Sequence, residues 1–312
     1  MTQKLRILIT GVSGFVGQTT LKYLSNHGHE LVALVHKKDL SSELIHICQD
    51  VVKADITDPG ITSDIFRNID VVCHLAAYIP KDYSDFSEAE KCYRVNALGT
   101  LNIALKSAEN NVKRFIYVST ANMYNFSITP AVEEDPIFPT GIAAQYFVSK
   151  LAGEIYLSNI CSTSSMEGII LRIGTPYGPG EPKNKLITSL LSRAIRGEDL
   201  MIYHGGEPNY NFVYIDDVAN FIEKAIKTGD SGIYNISSGE STTLRQVGET
   251  IASFFNKKQL RIINSQAPSK IKKGFAPISV EKAFRTWDFQ PRTLKTGIHD
   301  YLITLLREFD QQ

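Results

Sequence analysis

A tyrosine and a lysine four residues apart are the side chains best suited to proton chemistry in this sequence. Tyr146 and Lys150 lie in a segment with a helical pattern, so they would share one helix face. A free phenol has a pKa near ~10, too high for a base at neutral pH. A neighbouring ammonium stabilises the phenolate and lowers that pKa, so Lys150 would tune Tyr146 as an acid/base. The same spacing also occurs by chance in surface pairs, so the interpretation needs further groups.

Two hydroxyl residues supply such groups at the end of an apolar run. Ser119 is the last residue of the predicted strand Phe115–Ser119, and Thr120 follows it directly. Thr120 could donate a hydrogen bond to the substrate oxygen that becomes a carbonyl, and Ser119 would support the loop. The alternative for Thr120 is a turn residue that bonds to backbone.

A glycine-rich turn follows the first predicted strand. Gly11, Gly14 and Gly17 stand between a strand and a helix, around Phe15 and Val16. In such a turn the first glycine permits the bend, the second lets a pyrophosphate approach, and the third lets the helix pack closely. The free N–H groups of the helix start then face the phosphates. The pattern predicts a dinucleotide site, and the alternative is a structural turn.

The residues after the second and third predicted strands bear on which dinucleotide binds. An acid after the second strand would favour NAD, and a base NADP. The sequence has His36 and Lys37 there, with no acid before Asp39, which favours NADP over NAD. Asp55, after the third strand, could accept from the adenine amino group or act as a turn residue.

Strands and helices alternate around these residues. The predicted strands are Leu5–Thr10, Leu31–Val35, Val51–Ala54, Val71–Leu75, Phe115–Ser119, Gly168–Arg172 and Ile233–Ile236, and the predicted helices include Gly14–Asn26, Glu88–Asn110, Ala144–Ser158 and Asp216–Lys227. Continuous apolar strands between helices predict a doubly wound parallel α/β sheet of the Rossmann type. We expect a dinucleotide-binding domain over residues 1–172, to which 212–237 return. A smaller C-terminal substrate-binding lobe would comprise 173–211 and 238–312.

Composition limits the partners that the chain is expected to bind. Lys and Arg number 33, as do Asp and Glu, so the formal net charge is zero and a nucleic-acid partner is not indicated. The basic cluster at Lys270, Lys272 and Lys273 is interpreted as a solvated face. Four cysteines without metal-site spacing, and no signal-peptide or membrane-spanning run, predict a reduced, cytoplasmic protein without a metal.

Seven segments in this order resemble the extended short-chain dehydrogenase/reductase superfamily, in its NAD-dependent epimerase/dehydratase branch. They are Thr10–Gly17, His74–Ala77, Asn96–Thr100, Ser119–Tyr124, Tyr146–Lys150, Arg172–Gly180 and Phe212–Val218. The resemblance covers nearly the whole chain. It implies hydride transfer between a substrate carbon and a nicotinamide while Tyr146 moves the hydroxyl proton.

The resemblance also implies a set of binding residues. Those expected at the cofactor, besides the glycine turn, are His36, Lys37, Asp55, Ile56, Leu75, Ala76, Ala77, Asn96, Ser119, Tyr146, Lys150 and Thr175. Those expected at the substrate are Tyr78, Thr120, Asn122, Tyr177 and Tyr210. His74 is expected to support a loop. The family often dimerises through helices that here would be Glu88–Asn110 and Ala144–Ser158, so we expect a homodimer.

Family members commonly act on nucleotide-diphosphate sugars, by dehydration, C4 epimerisation or 4-keto reduction. Dehydratases carry an Asp-Glu pair after the threonine, whereas Ala121 and Asn122 follow Thr120 here. Dehydration is therefore disfavoured, and the Cys and His pair of fucose-type epimerase-reductases is not apparent. Epimerisation and 4-keto reduction remain.

One departure from the family pattern keeps other functions open. Relatives often carry an Arg that pairs with the diphosphate where this chain has Tyr210, and a tyrosine offers neither its charge nor its fork. Lys183, Lys185, Arg193 or Lys270 could replace it. Otherwise the chain would be an NADPH-dependent carbonyl reductase of a non-nucleotide metabolite. A non-catalytic dinucleotide sensor is the third alternative.

Overall fold

A seven-stranded sheet forms the centre of the fold in this computed structural model, which describes residues 4–141, 143–255, 260–265 and 274–310. The strands of the sheet are β1 (Arg6–Thr10), β2 (Glu30–Val35), β3 (Asp50–Lys53), β4 (Val71–His74), β5 (Arg114–Thr120), β6 (Glu167–Ile173) and β11 (Gly232–Ile236). Their order across the sheet is β11-β6-β5-β4-β1-β2-β3. The central strands are buried on both faces, with Ile7, Leu8 and Ile9 fully inaccessible. This burial explains their continuous apolar runs and confirms the predicted fold class.

Strand β1 is the point where the order of the sheet reverses. It pairs in parallel with β2 on one side and with β4 on the other. Thr10, its last residue, lies opposite Leu34 and His74. In doubly wound sheets ligands bind outside the carboxyl ends of the strands at such a reversal. The glycine-rich turn follows Thr10 directly, at the carboxyl end of β1.

Ten helices are described: α1 (Phe15–Asn26), α2 (Ser42–His46), α3 (Ala89–Cys92), α4 (Gly99–Glu109), α5 (Ala144–Ser162), α6 (Leu186–Arg196), α7 (Ile215–Lys227), α8 (Leu244–Ser253), α9 (Glu281–Trp287) and α10 (Leu294–Asp310). The helix predicted over Glu88–Asn110 is not one continuous α-helix. Its middle, Tyr93–Leu98, is a π-helical turn between α3 and α4. Such wide turns often occur at functional sites. None of the helices among the residues described combines the length and the apolar character needed to cross a membrane.

The chain forms two compact units. The first comprises Met1–Met123, Phe138–Arg172 and Val218–Tyr234. Its core joins apolar side chains of the sheet to those of the helices beside it, among them Phe66, Ile103, Phe115 and Leu157.

The second unit comprises Tyr124–Ile137, Ile173–Asp217 and Asn235–Gln312. Its remaining strands are β7 (Thr175–Tyr177), β8 (Leu200–Ile202), β9 (Asn209–Tyr210), β10 (Phe212–Tyr214), β12 (Thr242–Thr243) and β13 (Ile262–Asn264). They form three two-stranded sheets: β7 with β10, β8 with β13, and β9 with β12. Helices α6, α8 and α10 supply much of its core. Lys270, Lys272 and Lys273 lie outside the described residues.

Candidate active site

The three glycines of the glycine turn, Gly11–Gly17, differ in the space that a side chain would have. Gly11 has a φ of +73°, and a Cβ there would lie 2.5 Å from the backbone nitrogen of Ala76. A Cβ on Gly17 would lie 2.1 Å from the carbonyl oxygen of Gly11. Both glycines are therefore required by the fold itself.

Gly14 differs because the protein leaves room at this position. A Cβ there would meet only the Gly11 carbonyl oxygen, at 3.3 Å. Gly14 is exposed at the start of α1, where the residue before Phe15 and Val16 has no side chain to cap the helix. The open space and the uncapped N–H groups fit a pyrophosphate.

His74 joins the end of β4 to its neighbours by hydrogen bonds whose direction is fixed. The Thr100 hydroxyl donates to the carbonyl oxygen of Asn96 (2.7 Å), so it accepts from His74 Nε2 (3.0 Å). The backbone N–H of Ala76 donates to the Thr10 hydroxyl (3.1 Å), which donates to His74 Nδ1 (2.8 Å). Burial, with a smaller effect of Lys150, lowers the pKa of His74 to about 3, so the ring is neutral. His74 holds the loop after β4, as its predicted role requires.

Asn96 holds the next part of that loop from the π-helical turn. Its amide accepts from the backbone N–H of Tyr78 (2.7 Å) and donates to the Tyr78 carbonyl (2.9 Å). The same amide donates to the Ser149 hydroxyl (2.9 Å) on α5. Asn96 is fully buried, so it positions the loop rather than facing a ligand as predicted. Leu75, Ala76 and Ala77 form the partly accessible start of this loop.

Lys150 is buried on α5 and points at the end of β5. Its ammonium donates to the carbonyl oxygen of Val118 (2.8 Å) and lies 4.2 Å from the centre of the Tyr117 ring. The close approach depends on Gly153, where a Cβ would lie 2.5 Å from the Tyr117 hydroxyl. Burial lowers the pKa of Lys150 to about 7, although the Glu154 carboxylate opposes this shift.

Tyr146 lies one helical turn before Lys150, in an apolar setting. Its ring meets the edge of the Tyr83 ring, with the centroids 6.0 Å apart. Burial raises the pKa of Tyr146 well above its usual range, and Tyr83 and Cys92 add to the effect. The expected lowering by Lys150 is not seen, because the Lys150 ammonium is bound to Val118 and burial disfavours the phenolate.

The end of β5 carries polar atoms that the protein leaves unpaired. Thr120 accepts from the backbone N–H of Asn122 (3.2 Å), which is the turn role considered as its alternative. The buried Ser119 hydroxyl and the Asn122 side-chain oxygen have no hydrogen-bond partner among the described residues. Buried polar atoms without partners are costly, so a bound ligand or an ordered water would satisfy them. These atoms fit the polar groups of a dinucleotide and a hydroxylated substrate.

The end of β2 is basic in the structure as in the sequence. Lys37 and Lys38 are exposed, and Lys38 donates to the Ser13 carbonyl of the glycine turn (3.4 Å). The exposed Asp39 carboxylate lies 3.6 Å from the Lys53 ammonium, and His36 pairs with Asp55 at 3.3 Å.

Asp55 and Ile56 follow β3 and make contacts of their own. One Asp55 oxygen accepts from the Thr57 N–H (2.9 Å) and hydroxyl (2.8 Å). Partial burial opposes ionisation, but these bonds and the His36 charge lower the pKa of Asp55. The Ile56 side chain packs in the core against Gly99 rather than in the groove where cofactor contact was predicted.

Three predicted site residues belong to the second unit. Thr175 has a buried hydroxyl without a partner among the described residues, as a ligand contact would require. Tyr177 is only 1% exposed and donates to the Leu294 carbonyl (3.3 Å), so it is a core residue rather than the predicted substrate contact. Tyr210 stacks on Phe212, with the centroids 5.3 Å apart.

Of the basic residues proposed to replace an arginine at the position of Tyr210, Arg193 is bound to Glu198 and to the Asp199 carbonyl, whereas Lys183 and Lys185 are exposed. Lys270 lies outside the described residues.

Sequence reasoning missed Tyr83 and Gln145. Gln145 donates from Nε2 to the carbonyls of Tyr83 (3.1 Å) and Asp85 (3.2 Å), which holds the Tyr83 ring against Tyr146. The other Gln145 side-chain atom, Oε1, is buried without a partner among the described residues. The one available signal was the position of Gln145 directly before Tyr146.

The profile of the NAD dependent epimerase/dehydratase family matches residues 7–237. The chain therefore belongs to that family, as its motifs predicted.

Individual relatives have low sequence identity to this chain, but the matches cover most of its length. The chain is 27% identical over 254 residues to the low-salt glycan biosynthesis protein Agl12 of Haloferax volcanii, which covers 78% of this chain and 81% of that protein. It is 26% identical over 258 residues to a UDP-glucose 4-epimerase of Mycolicibacterium smegmatis, with 80% and 82% covered. The solved structure of MoeE5 in complex with UDP-glucuronic acid and NAD matches with a TM-score of 0.84, 24% identity and coverage of 97% and 99%. That structural likeness confirms the fold.

Proposed function

We propose that this chain transfers a hydride at C4 of a nucleotide-diphosphate sugar, with Tyr146 as its acid/base. The observation that carries the proposal is the pair of unpaired buried oxygens beside Thr120, on Ser119 and Asn122. They belong to the same unit as the glycine turn, Tyr146 and Lys150. A relative named UDP-glucose 4-epimerase, and the sugar nucleotide bound to MoeE5, support the substrate class.

The proton chemistry follows from the environment of Tyr146. A bound nicotinamide dinucleotide would supply or accept the hydride. The raised pKa keeps the phenol protonated, so Tyr146 is ready to donate a proton to a keto oxygen. Thr120 would direct its hydroxyl at the same oxygen. A protonated phenol is the form from which 4-keto reduction starts, whereas epimerisation starts from the phenolate, so turnover measurements distinguish the two reactions.

A preference for NADP over NAD is part of the proposal. No acid lies between Val35 and Asp39, and Asp39 is close to Lys53. His36 and Lys37 are therefore the groups at the end of β2 that could face a ribose phosphate. Lys38, which binds the glycine turn, adds a third basic group. The NAD in the MoeE5 complex keeps NAD as the alternative cofactor.

The decisive experiment mixes the purified protein with NADPH or NADH and a panel of UDP- and dTDP-linked 4-keto sugars. Loss of the reduced nicotinamide absorbance, faster with NADPH, is the expected result. Interconversion of UDP-glucose and UDP-galactose without net cofactor consumption would show epimerisation instead. Inertness towards every sugar nucleotide, together with no thermal stabilisation by millimolar UDP or dTDP, would refute the substrate class.

A carbonyl reductase of a non-nucleotide metabolite is the second candidate. The stacked ring of Tyr210 favours it, because a tyrosine at this position brings no cation to a diphosphate. NADPH consumption with simple ketones or aldehydes, but not with sugar nucleotides, would establish it.

We also propose that the chain forms a homodimer through α4 and α5. Val148 and Ile155 on α5 are 45% and 58% exposed, and Leu98 and Leu105 are 37% and 42% exposed. Apolar side chains on adjacent helices are what a helical dimer interface would cover.

A further inference from the structure

A buried ion pair lies one helical turn beyond Lys150. Arg172, near the end of β6, donates to the Glu154 carboxylate from Nε (3.1 and 3.2 Å) and from Nη2 (2.7 Å). The two side chains are 4% and 2% exposed. Burying two charges costs several kcal/mol unless the geometry is favourable, and their attraction rarely gives a net gain in stability. Stability alone is therefore a weak explanation for this pair.

The position of Glu154 on α5 connects it to the site. Residues four apart share a helix face, so Tyr146, Lys150 and Glu154 form one row. Lys150 and Glu154 are both 2% exposed. Coulombic attraction from Glu154 opposes the effect of burial on Lys150.

Among the residues that the structure describes, the other groups discussed around Lys150 provide no negative charge. His74 on β4 is neutral, and Tyr117 on β5 is a buried phenol whose pKa is raised well above its usual range by burial. Tyr146, on the same helix as Lys150, is also protonated. Arg172 adds a positive charge behind Glu154. Glu154 is thus the anionic group in the described surroundings of the lysine.

We propose that Glu154 and Arg172 are a positioning pair for Lys150: the carboxylate favours the charged form of the lysine amine, and Arg172 holds that carboxylate in place. The inference rests on the proposed function, in which Lys150 serves Tyr146 and the dinucleotide. Glu154 is 2% exposed and bound to Arg172, so it would act through Lys150.

Titration of the Lys150 side chain by NMR tests the inference without any turnover. The Lys150→Met variant identifies the signal, and the midpoint is compared between wild type and Glu154→Gln. We expect the midpoint to fall by about one pH unit or more in Glu154→Gln, because a buried cation loses its neighbouring anion. Glu167→Gln, which removes an exposed carboxylate bound to Arg114, is the control and should leave it unchanged. An unchanged midpoint in folded Glu154→Gln overturns the inference.

Glu154→Asp provides the second variant, since loss of a buried charge can prevent folding. It keeps the charge but withdraws it by one methylene, so a smaller fall of the midpoint is expected. If only this variant folds, the absence of any fall overturns the inference. The pH profile of NADPH oxidation should move with the midpoint in each folded variant. Full turnover by Tyr146→Phe would instead refute the proposed function, while the titration reports on Glu154 separately.

Discussion

The Lys150 ammonium donates a 2.8 Å hydrogen bond to the carbonyl oxygen of Val118. This bond joins the middle of α5 to β5 two residues before Thr120. The helix that carries Tyr146 and the strand end that carries Thr120 are thereby connected through a buried lysine, which gives the two groups a fixed relationship.

Removal of the Tyr146 hydroxyl should abolish most of the activity. Tyr146→Phe keeps the ring against Tyr83 but loses the transferable proton, so we expect turnover to fall by about 10²–10⁴-fold. Steady-state rates with the active sugar nucleotide measure the effect. Tyr156→Phe, on the same helix, is the matched control and should retain its rate. Equal rates in both variants would remove Tyr146 from the mechanism.

Two glycine substitutions should separate folding from dinucleotide binding. Gly14→Ala meets only one atom at 3.3 Å, so it should fold normally but weaken NADPH binding about tenfold or more. Gly17→Ala places its Cβ 2.1 Å from the Gly11 carbonyl, so it should lower the free energy of unfolding by about 1–3 kcal/mol. Thermal unfolding and NADPH titration distinguish the two. Normal NADPH affinity in Gly14→Ala would contradict a pyrophosphate at this turn.

The buried Lys150 should make stability depend on pH. Its pKa is about 7 when folded, below the ~10.4 of an unfolded lysine. Between these values the unfolded chain binds a proton that the folded chain lacks, so stability rises with pH across this window. Lys150 should contribute a rise on the order of 1 kcal/mol per pH unit. Denaturant unfolding at pH 7 and ~9 should therefore show a smaller rise in Lys150→Met than in wild type. Lys22→Met is the exposed control, and identical slopes in all three proteins would contradict the prediction.

Loss of the basic groups after β2 should alter cofactor preference. Lys37→Ala combined with Lys38→Ala should weaken NADPH binding about tenfold and leave NADH binding nearly unchanged, because only NADPH carries the extra phosphate. Fluorescence titration with each nucleotide measures both affinities. Lys295→Ala, on α10, controls for a general loss of charge. Equal weakening for NADPH and NADH would show that these lysines do not select the phosphate.

A charge on the exposed face of α5 should prevent dimer formation. Ile155→Arg introduces a cation into the proposed interface, where it would be buried without a partner. Light scattering coupled to gel filtration should give a dimer for wild type and a monomer for the variant. Leu306→Arg, at an exposed position on α10, should remain dimeric. A monomeric wild-type protein would end this proposal.

The sheet could be predicted from the sequence because its central strands are buried on both faces and appear as uninterrupted apolar runs. The C-terminal end of α5, at Ser162 instead of the predicted Ser158, and the π-helical turn at Tyr93–Leu98 could not be predicted. A wide turn keeps nearly the same apolar spacing as an α-helix, so it leaves no separate pattern in the residues.

The site shows a similar division. Gly11 and Gly17 could be predicted because backbone geometry requires glycine there. Tyr177 could not be placed, since an apolar core and a binding groove both accept a tyrosine. The raised pKa of Tyr146 and the proposed role of Glu154 depend on burial and on contacts between distant segments. Residue spacing carries no information about either.

The hydrogen bonds around His74 have a further consequence. Both nitrogens of the imidazole are hydrogen-bonded, one to Thr10 and the other to Thr100. Along this series, from the Ala76 N–H to the Asn96 carbonyl, each group donates to the next. Reversal of a single hydroxyl would set two donors or two acceptors against each other. These bonds tie the loop after β4 to the end of β1, where the glycine turn begins, so His74 has a structural role although its residue type is one that often serves as an acid/base.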